Sequence, residues 1–320
     1  MPNHPGELWT ILTSLGATEM EYSDFIERYC LLGRHGFSVG KPCGTREVNA
    51  KELNRLLKSV MMRRYKEFVL PQLPPIRIDD MPVPEIPINI PAFFEDALAD
   101  KKLTLAKIHE QEEFVRQVWK RSIASDGLMD TMAMITTLEA IGPSVGLYRR
   151  WLGAVKAASF APIVEDELAT GAVKKIVIFA HHKQVIAYMK AKLAKYGVVI
   201  VDGNAGPTAK ENAVKQFQNN PDVRVFLGSS AAYEALTLTA AHEVAVLEPS
   251  WVPSQNAQAV MRCHRIGQHK AVRARFVRLA DTLDDYITEV LARKTREITS
   301  VVDSSDKINP QNSRTNNPFD

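Results

Sequence analysis

Between residues 174 and 298 the chain repeats one pattern: a short apolar run followed by a helix-periodic stretch. The apolar runs are residues 176–179, 198–201, 223–227, 244–247 and 272–279, five in all. Helices are expected over 182–196 and 209–218, near Ala231, across 258–266, and over 283–298. Thr282 and Asp285 have the spacing of a capping box at the last of these. Continuous apolar strands need cover on both faces, and strands alternating with helices supply it. The fold class expected is therefore α/β, a doubly wound parallel sheet. Such sheets bind ligands beyond the carboxyl ends of their strands. The loops after Phe179, Val201, Leu227 and Leu247 are the edge where function is expected.

Upstream, the periodicity is helical. Residues 7–15 form a short helix that Gly16 stops, and Ser23 precedes a second one running to residue 31. Residues 33–50, with four glycines and one proline, read as a loop. Residues 50–70 read as one long amphipathic helix, with Leu53, Leu56, Leu57, Val60 and Met61 at steps of three and four. Seven prolines in residues 71–91 predict a semi-rigid extended connector with strand-like pieces. Residues 92–158 read as helical again, broken by Gly142, Pro143 and Gly146. Residues 303–320 carry almost nothing apolar and are expected to be disordered. The organisation expected is 1–75 helical, 76–91 connector, 92–147 helical, 148–300 α/β, and 301–320 tail.

Composition excludes some classes. A hydrophobic share of 45% and a charged share of 24% are those of an ordinary globular chain. A net charge of +3 does not by itself argue for nucleic acid. Its distribution is more telling: residues 262–278 hold six Lys or Arg and no acid, a local field suited to phosphates. Cys30, Cys43 and Cys263 have no C-x-x-C spacing. That predicts a reducing intracellular compartment and argues against a zinc site. The first residues, Met-Pro-Asn-His-Pro-Gly, have no apolar core, so no signal peptide is expected. No apolar run has the length of a membrane span.

Within residues 258–268, Gln258, Arg262 and Arg265 recur at steps of four and three. That spacing predicts one helix face, with Gly267 as the stop. Planar guanidinium forks match phosphate oxygens, and a fixed positive charge beside a transferring phosphoryl group stabilises its transition state. The bland alternative is a solvated basic face. Trp251, Val252 and Pro253 before the helix and an apolar strand after it argue against that alternative.

The pattern Gln-x-x-x-Arg-x-x-Arg-x-Gly-Gln, with Trp-x-Pro beginning seven residues earlier, resembles the sixth motif of Swi/Snf-type superfamily 2 helicases and DNA translocases. Further stretches are similar to the same family. These are Asn3, Pro5, Glu7, Leu8 and Trp9; residues 62–75; Val201-Asp-Gly203 followed by Phe217-Gln218; and residues 281–287, close to the annealing-helicase branch. The resemblance spans most of residues 1–300 and implies a RecA-like second lobe over 148–300, with 1–75 as the helical protrusion of a missing first lobe. The chain looks like such a motor cut after its third motif.

The same resemblance implies site residues. Arg262 and Arg265 would be catalytic arginine fingers, and Gln258, Glu234, Ala235 and Gly267 would lie against the nucleotide. Ala235 stands where the fifth motif carries Gly. His181, Lys183, Ser229, Ser230, Thr237 and Lys210 would contact DNA. His181 and His182 lack further ligands nearby, so no metal site is expected. Arg273 and Arg275 alternate on one strand, which reads as an exposed face or a basic edge. No G-x-x-x-x-G-K-[ST] and no acidic box follow any strand. ATP and Mg²⁺ would then be held mainly by a first lobe on another chain or a lost segment. The partners implied are double-stranded or forked DNA and such a P-loop lobe, with no membrane. The alternative is a non-hydrolytic DNA- or partner-binding module. A Rossmann-type enzyme is disfavoured, since no G-x-G-x-x-G follows a strand.

Overall fold

A computed structural model of the protein describes residues 4–32, 40–62, 66–85, 143–233, 236–280 and 282–302, with residue 113. The helical expectation for residues 92–142, the tail from 303, and Glu234, Ala235 and Asp281 lie outside the described residues.

Among the described residues, six parallel strands make the main sheet: β3 (Ile76–Val83), β4 (Ile176–Phe179), β5 (Val198–Val201), β6 (Val225–Gly228), β7 (Glu243–Val246) and β8 (Val272–Leu279). Their spatial order is β3-β8-β7-β4-β6-β5, every neighbour parallel. This is the α/β, RecA-like arrangement. The sixth strand comes from the proline-rich stretch, which pairs with β8 in register from Ile76↔Val272 to Val83↔Leu279. Proline is tolerated there because β3 is an edge strand.

Alternating residues divide between two cores. Ile176 and Ile178 face one side, with α5 (Pro143–Ala169), α6 (Lys183–Leu193) and α9 (Leu283–Val302). Val177 and Phe179 face the other, with α7 (Pro207–Asn219) and α8 (Pro253–Val260). β4, β6 and β7 are buried at every position. The chain runs from β4 out to β5, back to β6, then across to β7. The strand order therefore reverses at the carboxyl ends of β4 and β7, where such sheets open a crevice.

The first part of the chain builds a smaller unit. It contains α1 (Trp9–Ser14), α2 (Tyr22–Tyr29), the hairpin of β1 (Cys30–Leu32) and β2 (Pro42–Thr45), and α3 (Ala50–Val60). Leu12, Phe25, Tyr29 and Leu53 form its core, which Val301 of α9 joins. Asn54 Nδ2 donates to the Val301 carbonyl at 2.5 Å in a buried contact. The helix expected over 50–70 ends at Val60, with Met61 extended, and a short α4 (Lys66–Val69) follows. The expected loop 33–50 contributes β2. Gly146 does not break α5, which also carries Pro162 inside it.

Two charged details differ from the sequence expectation. β8 is not an edge, because β3 lies outside it. Arg275 is 1% exposed; its guanidinium bonds Glu167 at 2.7 and 3.0 Å, lies 3.4 Å from Glu243, and packs over Phe160. Arg273 is the exposed one, paired with Asp79 at 2.8 Å. The capping box forms only in half. Thr282 Oγ1 accepts from the Asp284 N–H at 3.2 Å, while the Asp285 carboxylate turns to Arg278.

Lys156 of α5 and Asp284 of α9 form a buried ion pair at 2.9 Å, and Asp284 also accepts the Leu279 N–H at 3.0 Å. Removing one member of such a pair leaves an uncompensated charge in a low-dielectric setting. Asp284→Ala is expected to lower stability by about 3–5 kcal/mol in urea unfolding, and the apolar double variant Lys156→Met/Asp284→Leu to recover most of it. An Asp284→Ala loss near zero would show that the pair is not formed.

Candidate nucleotide and nucleic-acid site

α8 is eight residues long and starts with Pro253 at its first position, where a missing N–H costs nothing. It ends at Val260, so Arg262 and Arg265 do not continue its face as their spacing predicts. The chain from 261 tightens into turns: Arg262 N–H bonds Ala259 O at 3.1 Å and Cys263 N–H bonds Val260 O at 3.3 Å, both three residues back. The physical reason is competition from tertiary partners. The Arg262 carbonyl accepts Leu238 N–H at 2.9 Å, and Cys263 and His264 turn inward to be buried. Gly267 closes the turn at φ 96°, a backbone region open to glycine.

Gln268 holds this turn in place. It is 6% exposed. Its Nε2 donates to Ala241 O at 2.8 Å and Cys263 O at 3.1 Å, while its Oε1 accepts the N–H groups of His269 and Lys270. The sequence pattern marks Gln268 only as the last letter of a motif. Its fivefold spacing from Cys263 carries no helical or strand signal that would reveal this role.

Both arginines nevertheless reach one opening. A cleft of about 610 Å³ is lined by Gln258, Met261, Arg262, Arg265, Ile266 and Thr237 on one side and by Lys66 and Leu70 on the other. Arg262 is 7% exposed and held by two carbonyls: Nε donates to Gln258 O at 3.0 Å and Nη1 to Leu236 O at 3.4 Å. Lys66 carries no sequence signal that marks it as a site residue. Its Nζ donates to His264 O at 2.8 Å. Partial desolvation at the cleft and the charges of Arg265 and Arg262 hold its ammonium below the ordinary lysine value. Three cations on one cleft match the charge of a polyphosphate. Gly267, expected beside the nucleotide, is not among the lining residues.

The residues expected at DNA fall in two groups. Ser229 Oγ accepts the Ala231 N–H at 3.3 Å, Ser230 is exposed beside it, and Lys210 Nζ donates to Ala231 O at 3.3 Å. His181 is exposed on the loop after β4, the strand next to β6, and Lys183 is exposed at the first position of α6. These five share the carboxyl edge of the sheet. Thr237 joins the arginine cleft instead.

At that edge Glu248 is buried against His182. Burial alone would raise its carboxyl pKa, but hydrogen bonds from His182 and the charges of His182 and Lys156 outweigh burial and hold it below the ordinary value. A carboxylate lowered on folding contributes stability that is complete above its unfolded pKa and is lost as pH falls through the folded one. Wild-type stability is therefore expected to fall more steeply on acidification below the ordinary carboxylate range than that of Glu248→Gln. Parallel acid limbs in urea titrations at several pH values would contradict this.

Residues 161–267 match the family model described as the helicase conserved C-terminal domain. The human DNA annealing helicase and endonuclease ZRANB3 is 31% identical over 300 residues, which is 91% of this chain and 25% of that protein. The Drosophila melanogaster SWI/SNF-related matrix-associated actin-dependent regulator of chromatin subfamily A-like protein 1 is 28% identical over 305 residues, 93% of this chain and 36% of its own. Among solved structures, the Sulfolobus solfataricus SWI2/SNF2 ATPase core in complex with dsDNA is 20% identical at a TM-score of 0.47, covering 88% of this chain and 56% of that one. The chain thus spans about a quarter to a third of the length of these curated relatives. It carries a helicase C-terminal domain and is homologous to SWI/SNF-type annealing helicases. Among the described residues no helix is long and apolar enough to cross a membrane.

Proposed function

We propose that this homologue of SWI/SNF-type annealing helicases is the C-terminal half of an ATP-dependent double-stranded-DNA translocase. It supplies arginine fingers and DNA-backbone contacts to an ATP site that a P-loop first lobe completes. The observation that carries this is the convergence of Arg262, Arg265, Gln258 and Lys66 on one open cleft.

The residues present fit one half of a nucleotide site. A polyphosphate meets guanidinium and ammonium groups there, and charge-assisted bonds to such groups are the strong ones. Among the described residues no group of three or more His, Cys, Asp or Glu is arranged to hold a metal ion. Mg²⁺ would be held by the acidic box of the first lobe. ATP, when bound, supplies the free energy of γ-phosphoryl transfer to water.

This chain's residues position charge and backbone around that event. Arg262 is fixed by two carbonyls before any ligand arrives, so little reorganisation is needed as negative charge develops opposite it. Arg265 is half-buried and more adaptable. The Leu236 and Leu238 bonds to Arg262 tie the arginine turn to the segment carrying Thr237. On the sheet edge, Lys183, Lys210, Ser229, Ser230 and His181 offer ammonium, hydroxyl, imidazole and backbone N–H groups to phosphates of a duplex. Phosphate contacts of that kind position a protein on DNA without reading its sequence. Closing the cleft on ATP would move this edge relative to the first lobe.

The test mixes the chain with a first-lobe protein bearing the G-K-[ST] loop and an acidic box, and reads DNA-stimulated ATP hydrolysis. Arg262→Ala is expected to lower turnover by roughly three to five orders of magnitude while leaving duplex binding near wild type. Turnover that survives both Arg262→Ala and Arg265→Ala would remove the finger assignment. The second reading is a non-hydrolytic DNA- or partner-binding module. Salt-sensitive duplex binding with no hydrolysis under any pairing would establish that reading instead.

A further inference from the structure

The strand-order reversal between β4 and β7 holds a buried carboxylate that the proposed reaction does not use. Glu248 follows β7 and is 2% exposed. Its Oε2 accepts the backbone N–H groups of His181 at 2.8 Å and His182 at 2.9 Å, and its Oε1 meets His182 Nδ1 at 2.5 Å. The loop leaving β4 is thus suspended from one side chain of the loop leaving β7. Gly153 of α5 makes the room: a Cβ there would lie 2.3 Å from Glu248 Oε1.

The bonds continue toward the arginine cleft. Arg149 of α5 donates to the Pro249 carbonyl and lies over the Trp251 ring. Ser250 N–H donates to Asn256 Oδ1 at 2.8 Å, and Asn256 Nδ2 donates back to Ser250 O at 2.9 Å. Asn256 is a 1% exposed residue of α8. Two positions on is Gln258, whose carbonyl accepts Arg262 Nε. A run of short covalent segments and hydrogen bonds therefore joins the His181–His182 loop to Arg262. A buried carboxylate that accepts three donors is costly to disengage, since each freed donor would lose its partner away from water.

We propose that Glu248 is a positioning residue that transmits the seating of DNA on the His181–Lys183 loop to the segment carrying Gln258 and Arg262. This rests on that loop being a DNA contact, as proposed above. Through it, a duplex on the sheet edge fixes the setting of the finger, and removing the carboxylate separates the two.

Amide hydrogen exchange on the full chain, with and without a short duplex, tests this without any hydrolysis. In the wild type the duplex is expected to slow exchange at 181–183, and at 250–258 by about fivefold or more, the lower end of usual coupling between sites. Glu248→Gln keeps the first effect and loses the second. His182→Ala, which leaves both backbone bonds to Glu248 in place, weakens the second. His182→Asn, whose amide nitrogen can stand near the position of Nδ1, restores it; a merely structural role would not separate these two variants. Should Glu248→Gln fail to fold by circular dichroism, the two His182 variants decide the matter. Equal slowing at 250–258 in the wild type, Glu248→Gln and His182→Ala would overturn the inference while leaving the DNA assignment standing. No slowing at 181–183 in the wild type would overturn the DNA assignment and the inference together.

Discussion

The structure depends on a sheet that must be covered on both faces. β4, β6 and β7 have no exposed position, so every residue of these strands is committed to packing. Polar chemistry is displaced to where the strands stop. His181, Lys183, Ser229, Ser230 and Glu248 all follow a strand of this sheet within a few residues. The same constraint explains the few charged groups that do enter the layers. Arg275 is paired with Glu167 and lies near Glu243, and Lys156 is paired with Asp284. An unpaired charge there would face a desolvation cost with nothing to offset it.

A second theme is rigidity supplied by backbone carbonyls. Arg262 is held by the carbonyls of Gln258 and Leu236, Lys66 by that of His264, and Gln268 by those of Thr239, Ala241 and Cys263. Carbonyls on turns have spare lone pairs that no ladder uses. Long polar side chains bonded to them are held in place. That is a preorganised arrangement of the sort that favours developing negative charge.

The N-terminal unit is tied to the lobe at its far end as well as at the cleft. Val301 and Asn54 join α9 to α3, and Lys66 and Leu70 form one wall of the arginine cleft. The proline-rich stretch adds an edge strand to the sheet. Residues that the sequence divides into separate regions thus meet in the structure, because edge strands and helix ends offer backbone and apolar surface to whatever chain lies next to them.

The α/β class, all five strands expected from residue 174 onward to within two residues, and the neighbourhood of Arg262 and Arg265 were legible in the amino-acid order. Each rests on local information: runs of apolar residues, helix-length spacing and turn residues. What remained illegible depended on partners distant in sequence. The helix before Arg262 stops early because Leu238 takes the Arg262 carbonyl. Arg275 is buried because Glu167, 108 residues away, neutralises it. β3 joins the sheet because β8 leaves one edge open. Lys66 reaches the cleft across 198 residues of chain, and Glu248 holds a loop 66 and 67 residues before it. Periodicity reports which face of an element is apolar; it carries no record of which distant donor will find which acceptor, and that pairing is settled only when the packed chain removes water from both.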